Sequence, residues 1–104
     1  MTEKLIRDGI PKIAADNGDP LTVRTASATE LPILLRMKLA EEAGEVIQAS
    51  PSGLLEELAD VIEVVHAIAA LHGHTPADVE RARVAKAAAR GGFAHGFVMQ
   101  LPTA

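Results

Sequence analysis

Two helical stretches, separated only by Ser50-Pro51-Ser52-Gly53, each carry acids at three-residue spacing. The first contains Glu41-Glu42-Ala43-Gly44-Glu45. The second contains Glu56-Glu57-Leu58-Ala59-Asp60, with Glu63 one turn further on. Half of the fourteen acids therefore lie between Glu41 and Glu63. Like charges at helical spacing repel and cost stability, so a fold that brings these faces together needs something positive between them. Two helices joined by a short break pack antiparallel, which lets the acidic faces meet. At about 100° per residue, Glu42 and Glu45 lie about 60° apart, as do Glu57 and Asp60. Glu41, Glu56 and Glu63 flank these pairs. The four carboxylates Glu42, Glu45, Glu57 and Asp60 are thus candidate metal ligands. The blander reading is two solvated faces. The repetition of the pattern and the apolar residues around Asp60 weigh against it, since a solvated face more often mixes charge signs. Mg²⁺, with Mn²⁺ as a substitute, suits carboxylate oxygens and usually arrives with substrate phosphates.

The punctuation of the chain predicts one domain over residues 1–104. Pro11 to Asn17 reads as a short helix ended by Gly18. A long helix is expected from about Thr29 to Ala49, with Pro32 in its first turn. Ser50 is a plausible N-cap for the next helix, with Pro51 at its first position, and that helix should run to about Leu71 before Gly73. Thr75-Pro76 repeats the start signal for a helix to about Arg90, terminated by Gly91-Gly92. Leu21 to Thr25 and Phe97 to Leu101 alternate in the manner of short strands that could pair. The expected fold is all-α: a four-helix bundle with a small two-stranded β element.

The helix from Leu54 to Leu71 carries apolar residues around most of its circumference, the mark of a helix buried on several sides. Three helices from one small chain can hardly cover it, so a homo-oligomer that completes the bundle is expected. With only two aromatics, Phe93 and Phe97, in a chain that is 48% hydrophobic, the core must be built from Ala, Leu, Ile and Val. A net charge of −4 argues against a nucleic-acid polymer as partner, which would require a basic face. The absence of cysteine excludes a disulfide framework, a thiolate zinc site and a cysteine nucleophile. Residues 1–8 lack the apolar run of a signal peptide, and the stretch from Val61 to Leu71, interrupted by Glu63 and His66, is too short to span a bilayer. No membrane association and a cytoplasmic location are expected.

The combination Glu41-Glu42-x-x-Glu45 and Glu57-x-x-Asp60 resembles the signature of the all-α, MazG-like nucleoside triphosphate pyrophosphohydrolases. Lys4-Leu5-Ile6-Arg7-Asp8-Gly9-Ile10-Pro11 is similar to the N-terminal element of single-domain, phosphoribosyl-ATP pyrophosphohydrolase-like members. Lys86-Ala87-Ala88-Ala89-Arg90-Gly91-Gly92-Phe93 is similar to their C-terminal element. Gly9 departs from the family, which often has Lys there, and the gap between the acid clusters is short for it. The resemblance implies a helical bundle assembled as a homodimer or homotetramer. It also implies Mg²⁺-dependent cleavage of a nucleoside triphosphate between the α and β phosphates, giving monophosphate and pyrophosphate in a house-cleaning or nucleotide-pool role, with Glu42, Glu45, Glu57 and Asp60 holding the metal.

On this reading Glu41 is the candidate general base, with Glu56 as an alternative. Lys38, on the acidic face, either meets phosphate or neutralises Glu42 four residues on. Lys86 and Arg90 share a face before the glycine pair and suit phosphate contact. Taken without the resemblance they read as favourable charge at a helix C-terminus. Lys4 and Arg7 are further candidate substrate contacts. A rival reading takes Glu63-x-x-His66 as part of a carboxylate-bridged iron-binding bundle, a use in which the basic residues have no place.

Overall fold

A computed structural model describes residues 3–103. Four helices follow one another: α1 (Ile10–Asp16), α2 (Leu31–Gln48), α3 (Leu54–Leu71) and α4 (Pro76–Arg90). The all-helical expectation is met, and the helix boundaries fall within about two residues of those read from the sequence at most ends. α2 and α3 form the central hairpin, closed by residues 49–53, and α4 lies along part of α3.

Two expectations are corrected. The first concerns the start of α3. Ser50 does not cap it, because residues 50–53 are spent on reversing the chain: the Gly53 N–H donates to the Ser50 carbonyl at 3.0 Å, and the Ser50 and Ser52 hydroxyls bond each other. Gly53 is the residue before the helix and offers no side-chain cap. Glu56 and Glu57 in the first turn supply the negative charge that its exposed N–H groups favour. The equivalent signal at Thr75 is used. Its hydroxyl accepts from the Asp78 N–H, and the Asp78 carboxylate accepts from the Thr75 N–H at 2.8 Å, a reciprocal capping box.

The second correction concerns the β element. Among the described residues there is no strand. Residues 21–25 and 97–101 lie outside the helices, and neither makes a backbone–backbone hydrogen bond that could start a ladder.

The protomer is open rather than close-packed. Its radius of gyration is 17.7 Å, against about 13 Å for a compact chain of this length. Its accessible surface is 8856 Å², against roughly 5,600 Å² for a compact chain of its mass. Leu35 and Val64 are the buried apolar side chains among the described residues. The many-sided burial expected for α3 is therefore not achieved within one chain. Leu55, Leu58 and Ile62 on α3, with Ile33, Met37 and Ile47 on α2, are exposed. Each lies about 140–180° from Asp60 or Glu42 around its own helix. The hairpin thus has an acidic front and an apolar back.

Candidate metal centre

The hairpin brings the two acidic faces together at its front. Glu42, Glu45, Glu57 and Asp60 each offer a carboxylate oxygen, and these oxygens all lie within 4.8 Å of one another. The periodicity explains why: Glu42 and Glu45 occupy adjacent turns of α2, Glu57 and Asp60 adjacent turns of α3, and the short connection sets the turns side by side. Glu42 is 7% exposed, the one buried charged residue among those described. Its Oε2 and the Oε2 of Glu57 are buried with no hydrogen-bond partner. An unpartnered buried carboxylate oxygen is costly, and here two of them come from facing helices. The donor set is all oxygen, which fits a hard divalent cation.

Basic side chains rim the cluster. Lys38 Nζ lies 3.2 Å from Glu42 Oε1 and 3.3 Å from Glu41 Oε2, so the neutralising role is realised. Burial works against the Lys38 ammonium, but its bonds to Glu42 and Glu41 outweigh burial and raise its pKa above the ordinary value. Lys4 Nζ reaches Glu41 Oε1 at 3.3 Å. The Glu41 carboxyl is held below its usual range chiefly by Lys38, with burial opposing and Lys4 assisting. Glu41 therefore sits beside the four-carboxylate cluster, ionised and bonded to two ammonium groups. Arg7 donates to Asp60 Oδ1 at 2.6 Å.

The remaining sequence candidates are placed less centrally. Lys86 and Arg90 lie on the exposed part of α4 and, among the described residues, pair with none of the acids. Glu56 is exposed on α3. Glu63 lines the adjoining cavity, but neither it nor His66 joins the ligand group.

The cavity is a feature the sequence reading missed. It has a volume of about 640 Å³ and runs from the cluster between the N-terminal segment and the hairpin. Leu5, Ile10, Ile13, Leu31, Leu35 and Val64 line it with apolar surface, and Arg7, Asp8, Lys38, Glu42, Asp60 and Glu63 line it with charge. The signal available was the apolar spacing of Leu5, Ile6, Ile10 and Ile13 beside two basic residues, which marks a segment laid against the hairpin.

No helix among the described residues is long and apolar enough to cross a membrane. No family model, curated protein or solved structure matches the chain.

Proposed function

We propose that this chain is a Mg²⁺-dependent nucleoside triphosphate pyrophosphohydrolase of the MazG-like kind, with Mn²⁺ as a substitute metal, that cleaves between the α and β phosphates. The observation that carries the reading is the pair of buried, unpartnered oxygens, Glu42 Oε2 and Glu57 Oε2, within a cluster of four carboxylates. Glu42, Glu45, Glu57 and Asp60 would hold a divalent cation, which would supply charge neutralisation for the phosphates and acidify water. Glu41, beside the cluster and held by Lys38 and Lys4, would orient the attacking water or, released from them, accept its proton. Arg7 and Lys38, both lining the cavity, face the triphosphate, and Lys4 supports them. The apolar walls receive the sugar and base. A volume of about 640 Å³ lies within the usual range for small-molecule sites.

The same reading includes a second copy of the chain. The exposed apolar back of the hairpin supports it: Leu55, Leu58 and Ile62 on α3 and Ile33, Met37 and Ile47 on α2 are uncovered within one chain. Lys86 and Arg90 act on phosphate only in such an assembly. A cytoplasmic location suits a nucleotide substrate.

The deciding experiment is a nucleoside triphosphate panel with Mg²⁺, scoring pyrophosphate against orthophosphate. Pyrophosphate is expected, and it should vanish in Glu42→Gln and Asp60→Asn with helix content unchanged. Orthophosphate as the sole product would exclude α–β cleavage.

A further inference from the structure

The N-terminal segment lies on the hairpin but is barely fastened to it. Residues 3–9 and α1 supply one side of the cavity, through Leu5, Ile10 and Ile13, and α2 and α3 supply the other. With a cavity of about 640 Å³ between them, the two layers share little close apolar contact. The helix pairs that pack are α2 with α3 and α3 with α4, so α1 leans on no other helix. Among the described residues, no backbone–backbone hydrogen bond joins residues 3–16 to the hairpin. Two side-chain bonds do: Lys4 to Glu41 at 3.3 Å and Arg7 to Asp60 at 2.6 Å.

Both fastenings end on the acidic front. Asp60 is one of the four candidate ligands. Glu41 stands next to another, Glu42, and shares Lys38 with it. Both pairs are partly exposed, and exposed pairs hold weakly. With a divalent cation among the four carboxylates, the charge that Arg7 answers is cancelled, and its guanidinium is repelled whichever oxygen Asp60 offers. Lys38, deprived of Glu42, is left to Glu41, where Lys4 becomes surplus. Glu3 is anchored elsewhere. Arg24 holds it at 3.0 Å and is itself held by Glu30 at 2.6 Å. Neither acid belongs to the cluster, so this anchor survives a cation and serves as the hinge.

We propose that residues 4–16 form a strap with an electrostatic latch. Arg7 and Lys4 keep it closed over the cavity while the carboxylates are free. They let go when a divalent cation occupies the cluster, and they close the strap again on the triphosphate that follows. This rests on the metal site of the reading above and adds an order of events, in which the cation uncovers the cavity before the nucleotide enters. Cation and closed strap oppose each other, and each weakens the other by the same factor.

The chain has no cysteine of its own, so nitroxides can be carried on Ala15→Cys in α1 and Ala82→Cys in α4, both exposed. Their separation is measured by pulsed dipolar EPR on the full chain, diluted with unlabelled copies. Three samples are compared: no metal, Mg²⁺, and Mg²⁺ with inorganic triphosphate. Calorimetric titration reads Mg²⁺ binding separately. The distances are expected to lengthen with Mg²⁺ and to shorten again with triphosphate. In Lys4→Gln/Arg7→Gln the long distances should be present without metal, at unchanged helix content. Mg²⁺ that fails to bind overturns the metal reading and the strap together. Mg²⁺ that binds while the distances stay fixed overturns the strap alone. So does a lengthening that triphosphate leaves in place, or a double variant that keeps the short distances without metal.

Discussion

Arg7 donates to Asp60 Oδ1 at 2.6 Å across 53 positions of sequence, so a side chain suited to phosphate instead holds one of the four candidate metal ligands. Its guanidinium occupies the charge that a cation would supply. A cation at the cluster would compete with Arg7 for Asp60, and an Arg7 released from that pair would be free to turn to the anion. The pair is partly exposed, with side-chain exposures of 54% and 36%, so it contributes about 0.2–1 kcal/mol. Arg7→Ala should therefore bind Mn²⁺ up to about fivefold more tightly while turning over triphosphate more slowly. Calorimetric titration and initial rates measure the two effects, and equal affinity in both proteins would count against the competition.

Glu57 contributes a buried oxygen without a partner and, among the described residues, no ion pair, a cost to the metal-free fold that outweighs its favourable charge in the first turn of α3. Glu57→Gln should raise the metal-free Tm by several degrees, on the order of 1 kcal/mol for a domain of this size. It should also abolish the Mg²⁺-induced rise seen in the wild type. Thermal unfolding with and without Mg²⁺, at one fixed protein concentration, reads both. A lower metal-free Tm would show that Glu57 is structural.

Glu30 is pushed down to about 2, first by its bond from Arg24 and then by the Ser27 N–H, with burial opposing. A folded pKa below the unfolded value means stability that is complete above about pH 4.5 and is lost as pH falls through the folded value. The difference in urea midpoint between wild type and Glu30→Gln should thus be present at neutral pH, shrink below pH 4.5 and be gone near pH 2. Because the pair is solvent-accessible, salt should reduce it. A difference that stays constant down to pH 2 would contradict the assignment.

Thr75 caps α4 through the Asp78 N–H at 3.1 Å. Thr75→Ala should cost about 1 kcal/mol, visible as a lower urea midpoint. Ser50→Ala should cost little, because Ser50 caps nothing.

The helices and the acid cluster were legible because both follow from local rules. A 3.6-residue period fixes which side chains share a face, and a short break fixes that two faces meet; Glu42, Glu45, Glu57 and Asp60 needed nothing more. The contacts that escaped are long-range or compete for the same residues. Nothing near Arg7 in sequence announces Asp60. The cavity arises only when Leu5, Ile10 and Ile13 lie against Leu35 and Val64. Ser50-Pro51 carries the same start signal as Thr75-Pro76, but its backbone is used to reverse the chain. The alternation at residues 21–25 and 97–101 suggested two short strands, but neither is a strand, because alternation alone supplies no neighbouring backbone to complete a ladder.

The connection at residues 49–53 has one last consequence. Because it is so brief, every oxygen donor from Glu42 to Asp60 rides on a single uninterrupted ribbon of sequence. That makes the hairpin a portable unit, one whose carboxylate geometry would travel with it onto an unrelated helical scaffold.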